Sequence, residues 1–221
     1  MTFWVFGDSF MAFDDNYIRT LSKACNANRV KVLGVNGTGL LYTYQRLLEY
    51  KDKIKEDDVV LIGLSSPHRH MFVGDRNLSM HTLQFGTEGG RGILSEEHYE
   101  AAQMYFKYLC NDKHVGNLAH AIVSSIFHSI IPSLKTHRVS AIITTNTDGY
   151  TNRYNLPDAL FNDLSMFEIA KTYLMSKRNR TMESIMKELD GKNHWLVYRD
   201  YSKYFFNKIK RVLDELGIDK V

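Results

Sequence analysis

Cysteine is scarce in this chain: Cys25 and Cys110 are the only two. They form no Cys-x-x-Cys pair, which excludes the common zinc and dithiol redox motifs. Two thiols cannot build a disulfide framework, and both fall in segments that read as helices, so two reduced, buried thiols are expected. Proline is also rare, at three residues. With no low-complexity run and no internal repeat, this argues against linkers and a disordered tail. No window approaches the roughly 18 apolar residues of a membrane helix. The amino terminus lacks a basic stretch followed by an apolar one. A cytoplasmic protein with no membrane association is the expectation. A large excess of charge of one sign is missing too. The formal net charge is +3, and the runs Lys177-Arg178-Asn179-Arg180 and Lys208-Ile209-Lys210-Arg211 read as solvated helix faces. No nucleic-acid motif accompanies them, so a nucleic-acid partner is not expected.

What is present fits one globular domain spanning residues 1–221. Hydrophobic residues make up 44% and charged residues 24% of the chain, enough for a substantial core. Thr2-Phe3-Trp4-Val5-Phe6 predicts a buried strand. A helix follows over about 15–27, a strand over 29–34, and a helix over 40–51. Asp58-Val59-Val60-Leu61-Ile62-Gly63 is a continuous apolar run of the kind buried on both faces of a sheet. This β-α-β-α-β order implies an α/β fold with a parallel sheet and right-handed crossovers. Residues 64–94 lose periodicity and read as a long loop of a functional kind. Helices are expected over 95–110 and 115–136, a fourth strand over 139–145, short helices within 158–189, and a last helix over 198–216. Residues 64–137 thus read as a loop and helical insertion within the domain.

The strand ends carry the chemistry. Gly7-Asp8-Ser9-Phe10 follows the first strand and presents a serine at the carboxyl edge of the sheet, where open α/β folds place ligands. After the second strand comes Gly37, in a turn where bare backbone can approach a ligand and donate its N–H. Ser65 and Ser66 follow the third strand. Asp190-Gly191-Lys192-Asn193-His194 precedes the last helix. A serine hydroxyl needs a base within reach and donors aimed at the developing oxyanion. Ser9, His194 and Asp190 are the residue types for nucleophile, base and orienting acid. The Ser9 and Gly37 N–H groups and the Ser65 hydroxyl are candidate oxyanion donors. Asp8 reads as structural, bonding backbone amides around its turn. Arg69 lies near enough to Ser65 to meet an anionic or carbonyl group. His68-Arg69-His70 lacks a further ligand at supporting spacing, so no metal is expected. The Gly-x-Ser-x-Gly elbow of α/β-hydrolases is absent.

These blocks resemble the SGNH hydrolase superfamily, also called GDSL-type lipases and esterases. Gly7-Asp8-Ser9-Phe10 resembles its first block, and Leu33-Gly34-Val35-Asn36-Gly37 its second. Gly63-Leu64-Ser65-Ser66 stands at the third, with serine in the place of the family's asparagine. In the last block the aspartate, Asp190, is one residue further from His194 than usual. The resemblance implies a three-layer α/β/α sandwich of flavodoxin-like type, with a mainly parallel sheet of four to five strands. It implies a cofactor-free Ser-His-(Asp) esterase whose substrates are short-chain esters or O-acetyl groups on a saccharide. The same residues would serve acyl transfer to an alcohol. The altered third and last blocks leave open a degenerate member acting in binding or assembly. Thirteen tyrosines and 12 phenylalanines are compatible with core packing and with a homo-oligomer.

Overall fold

A computed structural model describes residues 1–12, 16–35, 37–66, 69–73, 80–84, 95–110, 112–144 and 210–218. Four parallel strands form the main sheet: β1 (Thr2–Phe6), β2 (Arg29–Val32), β3 (Val59–Leu64) and β6 (Val139–Ile143). Their spatial order is β2-β1-β3-β6. The chain therefore steps outward from β1 to β2, then returns to the other side of β1 to lay down β3. The register pairs Phe3 with Val30 on one side and with Val59 on the other. Leu64 pairs with Ile143 at the far end of the sheet.

The alternation of a strand explains the layering. Trp4 and Phe6 of β1, Val60, Ile62 and Leu64 of β3, and Ala141 and Ile143 of β6 share one face of the sheet. They form one core with Leu40 and Leu47 of α3 (Leu40–Tyr50) and with Ala119, Ile122 and Val123 of α5 (Asp112–Ser125). Intervening residues such as Val5, Val59 and Leu61 are buried as well, so both faces of β3 are covered. On the second face, Ser140 of β6 donates to Glu215 Oε2 at 2.5 Å from the short helix α7 (Lys210–Glu215). Two further helices follow β1: α1 (Ser9–Ala12) and α2 (Asn16–Ala24), whose Ile18 and Leu21 are buried.

Two stretches differ from the sequence expectation. Residues read as an aperiodic loop contain an antiparallel pair, β4 (Arg69–Val73) and β5 (Met80–Gln84), with Arg69 opposite Gln84. Helix α5 belongs to the body of the fold: it is a crossover between β3 and β6, and its apolar stripe fills the sheet core. It follows α4 (Glu96–Tyr108), whose Ser95 cap accepts the His98 N–H at 3.3 Å. It continues through a π-helical turn, Ile126–Ile130, into α6 (Ile131–Ser133). Against the expectation that no window approaches a membrane helix, the continuous helical stretch Lys113–Ser133 has a mean hydropathy of 1.2 over its most apolar window and is, by length and composition, enough to cross a membrane. Its buried face packs on the sheet through Ala119, Val123, Ile126 and Ile130, as the core helix of a globular α/β fold does.

Candidate functional site

Because β2 and β3 flank β1 on opposite sides, the chain reverses its winding direction at β1. In open α/β sheets the crevice at such a reversal, outside the carboxyl ends of the strands, is where ligands bind. Asp8 and Ser9 leave β1 there, and Ser65 leaves β3 beside it.

Asp8 is the centre of the bonding at this edge. It is fully buried. Its Oδ2 accepts a hydrogen bond from Thr144 Oγ1 at 2.9 Å, just past β6. The Arg69 guanidinium stands 3.3 Å from the same oxygen. Arg69 also donates to the Thr38 carbonyl at 3.2 Å. Thr38 Oγ1 in turn donates to the Val35 carbonyl at 2.7 Å and approaches that of Gly7 at 3.4 Å. The Thr144 N–H donates to the Leu64 carbonyl at 3.0 Å. The Asp8 carboxylate and the Arg69 guanidinium thus link the ends of β1 and β6 and the turn after β2 to the start of β4, and the Thr144 N–H adds the end of β3. The Asp8 carboxylate reaches side chains 61 and 136 residues away along the chain. Arg69 is partly buried, and its charge faces Asp8.

Ser9 opens α1 directly after Asp8, and the Met11 N–H closes the turn onto the Asp8 carbonyl at 2.9 Å. Ser65 is buried at the end of β3. Gly37 is exposed, with φ at +76°, a conformation that favours glycine. Nothing lies within 4 Å of where a Cβ on it would stand, so its backbone borders open space. Gly39 is tight instead: a Cβ there would stand 2.6 Å from the Arg69 carbonyl oxygen. The hairpin can rest on the start of α3 only because that residue has no side chain. The fold therefore brings Ser9, Ser65, Arg69 and the Gly37 turn to one edge of the molecule. Asp190 and His194 lie outside the described residues. Thr38 and Thr144 were missed by sequence reasoning. Their signal was available, since both are hydroxyl residues at the carboxyl edge, one in the glycine turn and one at the end of a strand.

A second polar group lies behind the hairpin. Cys110 Sγ stands 3.6 Å from His70 Nε2, and both residues are buried. The His70 ring meets Tyr105 and Phe106 edge-on at 6.0 and 5.3 Å between centroids. The Tyr105 hydroxyl is 2.9 Å from His114 Nε2. Burial, reinforced by the neighbouring Cys110, raises the Tyr105 phenol above its ordinary range. Among the described residues, no group of three His, Cys, Asp or Glu side chains is placed to hold a metal ion.

No protein-family model, curated protein or solved structure matches the chain.

Proposed function

We propose that the protein is a serine hydrolase of the SGNH type that cleaves a carboxylic ester through Ser9. The observation that carries this reading is the convergence at the sheet reversal. Gly7-Asp8-Ser9 ends β1, Ser65 ends β3, and the glycine turn follows β2, all on one carboxyl edge. Asp8 supports the reading: bonded to Thr144 and Arg69, it ties the turn that carries Ser9 to β6 and β4. A nucleophile needs such a rigid mount, because misplacement by about 1 Å can cost roughly 10²-fold in rate.

In this mechanism His194 takes the Ser9 proton as the oxygen attacks the acyl carbon. The tetrahedral oxyanion is held by the Ser9 and Gly37 N–H groups and the Ser65 hydroxyl. His194 then protonates the leaving alcohol and activates a water for deacylation, with Asp190 orienting the imidazole. No cofactor takes part. The ester is a small molecule or an O-acylated saccharide.

Hydrolysis of p-nitrophenyl esters by purified variants tests this. Ser9→Ala and His194→Ala should each lower kcat/KM by at least about 10³-fold, and the double variant should be barely worse, since the groups act as a unit. Ser65→Ala should cost about 10²–10³ in kcat, as for one lost oxyanion donor. A fluorophosphonate probe should label the wild type at Ser9. Equal turnover by wild type and Ser9→Ala, or no labelling at all, would sink the proposal.

A further inference from the structure

Between α3, β4, α4 and α5 lies a cavity of about 160 Å³. Its apolar walls are Leu40 and Leu41 from α3, Met71 from β4, and Leu118, Ala119 and Ile122 from α5. Three polar side chains also reach it, and each has a partner in the protein. Arg69 holds Asp8 and the Thr38 carbonyl. His70 faces Cys110. The Tyr105 hydroxyl meets His114. With the polar wall groups so engaged, the cavity favours an occupant that is itself apolar. An apolar cavity of roughly 150 Å³ admits benzene, so this one has room for a chain of about four to six carbons.

We propose that this cavity binds the short aliphatic acyl chain of the ester, which makes the substrate class short- to medium-chain acyl esters rather than acetates. The assignment of the chain to a substrate rests on the hydrolase reading above. Placement supports it: Arg69 is a wall of the cavity on one side and grips Asp8, the residue before Ser9, on the other. The cavity thus shares Arg69 with the strand edge at which the ester would be cleaved. Ala119, buried to 2% exposure, is the small residue that keeps the space open, and Leu118, 41% exposed, stands at its solvent side.

Binding and turnover are measured separately. N-methylhexanamide and N-methylacetamide, neutral analogues of the two esters, are titrated into the protein and followed by amide NMR shifts. Each buried methylene should tighten binding by about fourfold, so the hexanoyl analogue should bind at least tenfold tighter than the acetyl one. Ala119→Leu, which fills the cavity, and Leu118→Trp, which narrows its solvent side, should each abolish that preference. If Ala119→Leu does not fold, the Leu118→Trp variant decides. Equal binding of the two amides, or a preference unchanged in Leu118→Trp, would overturn the proposal. Hexanoyl binding without turnover of any p-nitrophenyl ester upholds the cavity and removes the hydrolase. Turnover with no chain-length preference and no amide binding removes the cavity and upholds the hydrolase.

Discussion

Asp8 and Asp58 show at the residue scale how this chain uses buried carboxylates. Asp8 is paired with Arg69 and bonded by Thr144. Removing one partner of such a pair leaves the other charge uncompensated. Asp8→Ala should therefore destabilise the fold by about 3 kcal/mol, the lower end of the buried-pair range, because Arg69 retains some solvent contact. Thr144→Val should cost about 1 kcal/mol, the worth of one hydrogen bond. Urea denaturation of both variants measures this. Asp58 works by hydrogen bonds. It accepts from the Thr2 N–H at 2.6 Å, Trp4 Nε1 at 2.9 Å and the Lys55 N–H at 3.0 Å. Burial pushes its carboxyl upward, but these donors outweigh it and hold the group below the ordinary carboxylate value. In Asp58→Asn an amide NH₂ must face at least one of these N–H donors. A loss of about 1–3 kcal/mol is expected, readable as a lower urea midpoint.

Among the elements, the hairpin β4–β5 is the one whose position matters most for the site. It is tied to the main sheet by Arg69 and rests against Gly39 at the start of α3. Gly39→Ala would place a methyl against the Arg69 carbonyl, and β4 would have to move away. The expected outcome is a loss of about 1–3 kcal/mol, with faster amide exchange in 69–73 than in β1 and β3. Unchanged exchange in 69–73 would show that the hairpin does not depend on this contact. The hairpin was hard to read in the sequence. Arg69-His70-Met71-Phe72-Val73 places its polar and apolar residues in blocks rather than in alternation. Helix α5 itself is expected from the sequence, as a helix over 115–136. Its apolar stripe was visible, but not that the stripe covers the face formed by Trp4, Phe6, Val60 and Ile62.

For the whole molecule, titration sets the pH range of stability. The Asp58 carboxyl has a lower pKa folded than unfolded, so its contribution is complete above the ordinary carboxylate value. It is lost as pH falls through the lower folded value. Cys25 acts at the other end. Burial, opposed by Arg138, pushes its thiol from 9.0 up to about 11. Its raised value gives a contribution that is complete below pH 9 and is lost as pH rises towards 11. Denaturation midpoints measured across pH should fall at both ends. Asp58→Asn should flatten the acid limb and Cys25→Ala the alkaline one. Iodoacetamide at neutral pH should leave Cys25 unmodified in the folded protein.

By itself the sequence determined the elements whose signal is local. Apolar runs marked β1, β3 and β6, helical stripes marked α3 and α5, and Gly7-Asp8-Ser9 marked the end of the first strand. Local pattern suffices there, because a strand buried on both faces must be apolar throughout and a packed helix must repeat near every 3.6 residues. The two buried thiols also followed from composition. Only the tertiary structure decided the strand order, the hairpin, the bonding of Asp8 to Arg69 and Thr144, and the cavity between α3, β4, α4 and α5. Each of these joins residues distant in the chain, up to 136 positions in the case of Asp8 and Thr144. Such contacts depend on how whole elements pack, and no local run of residues encodes them.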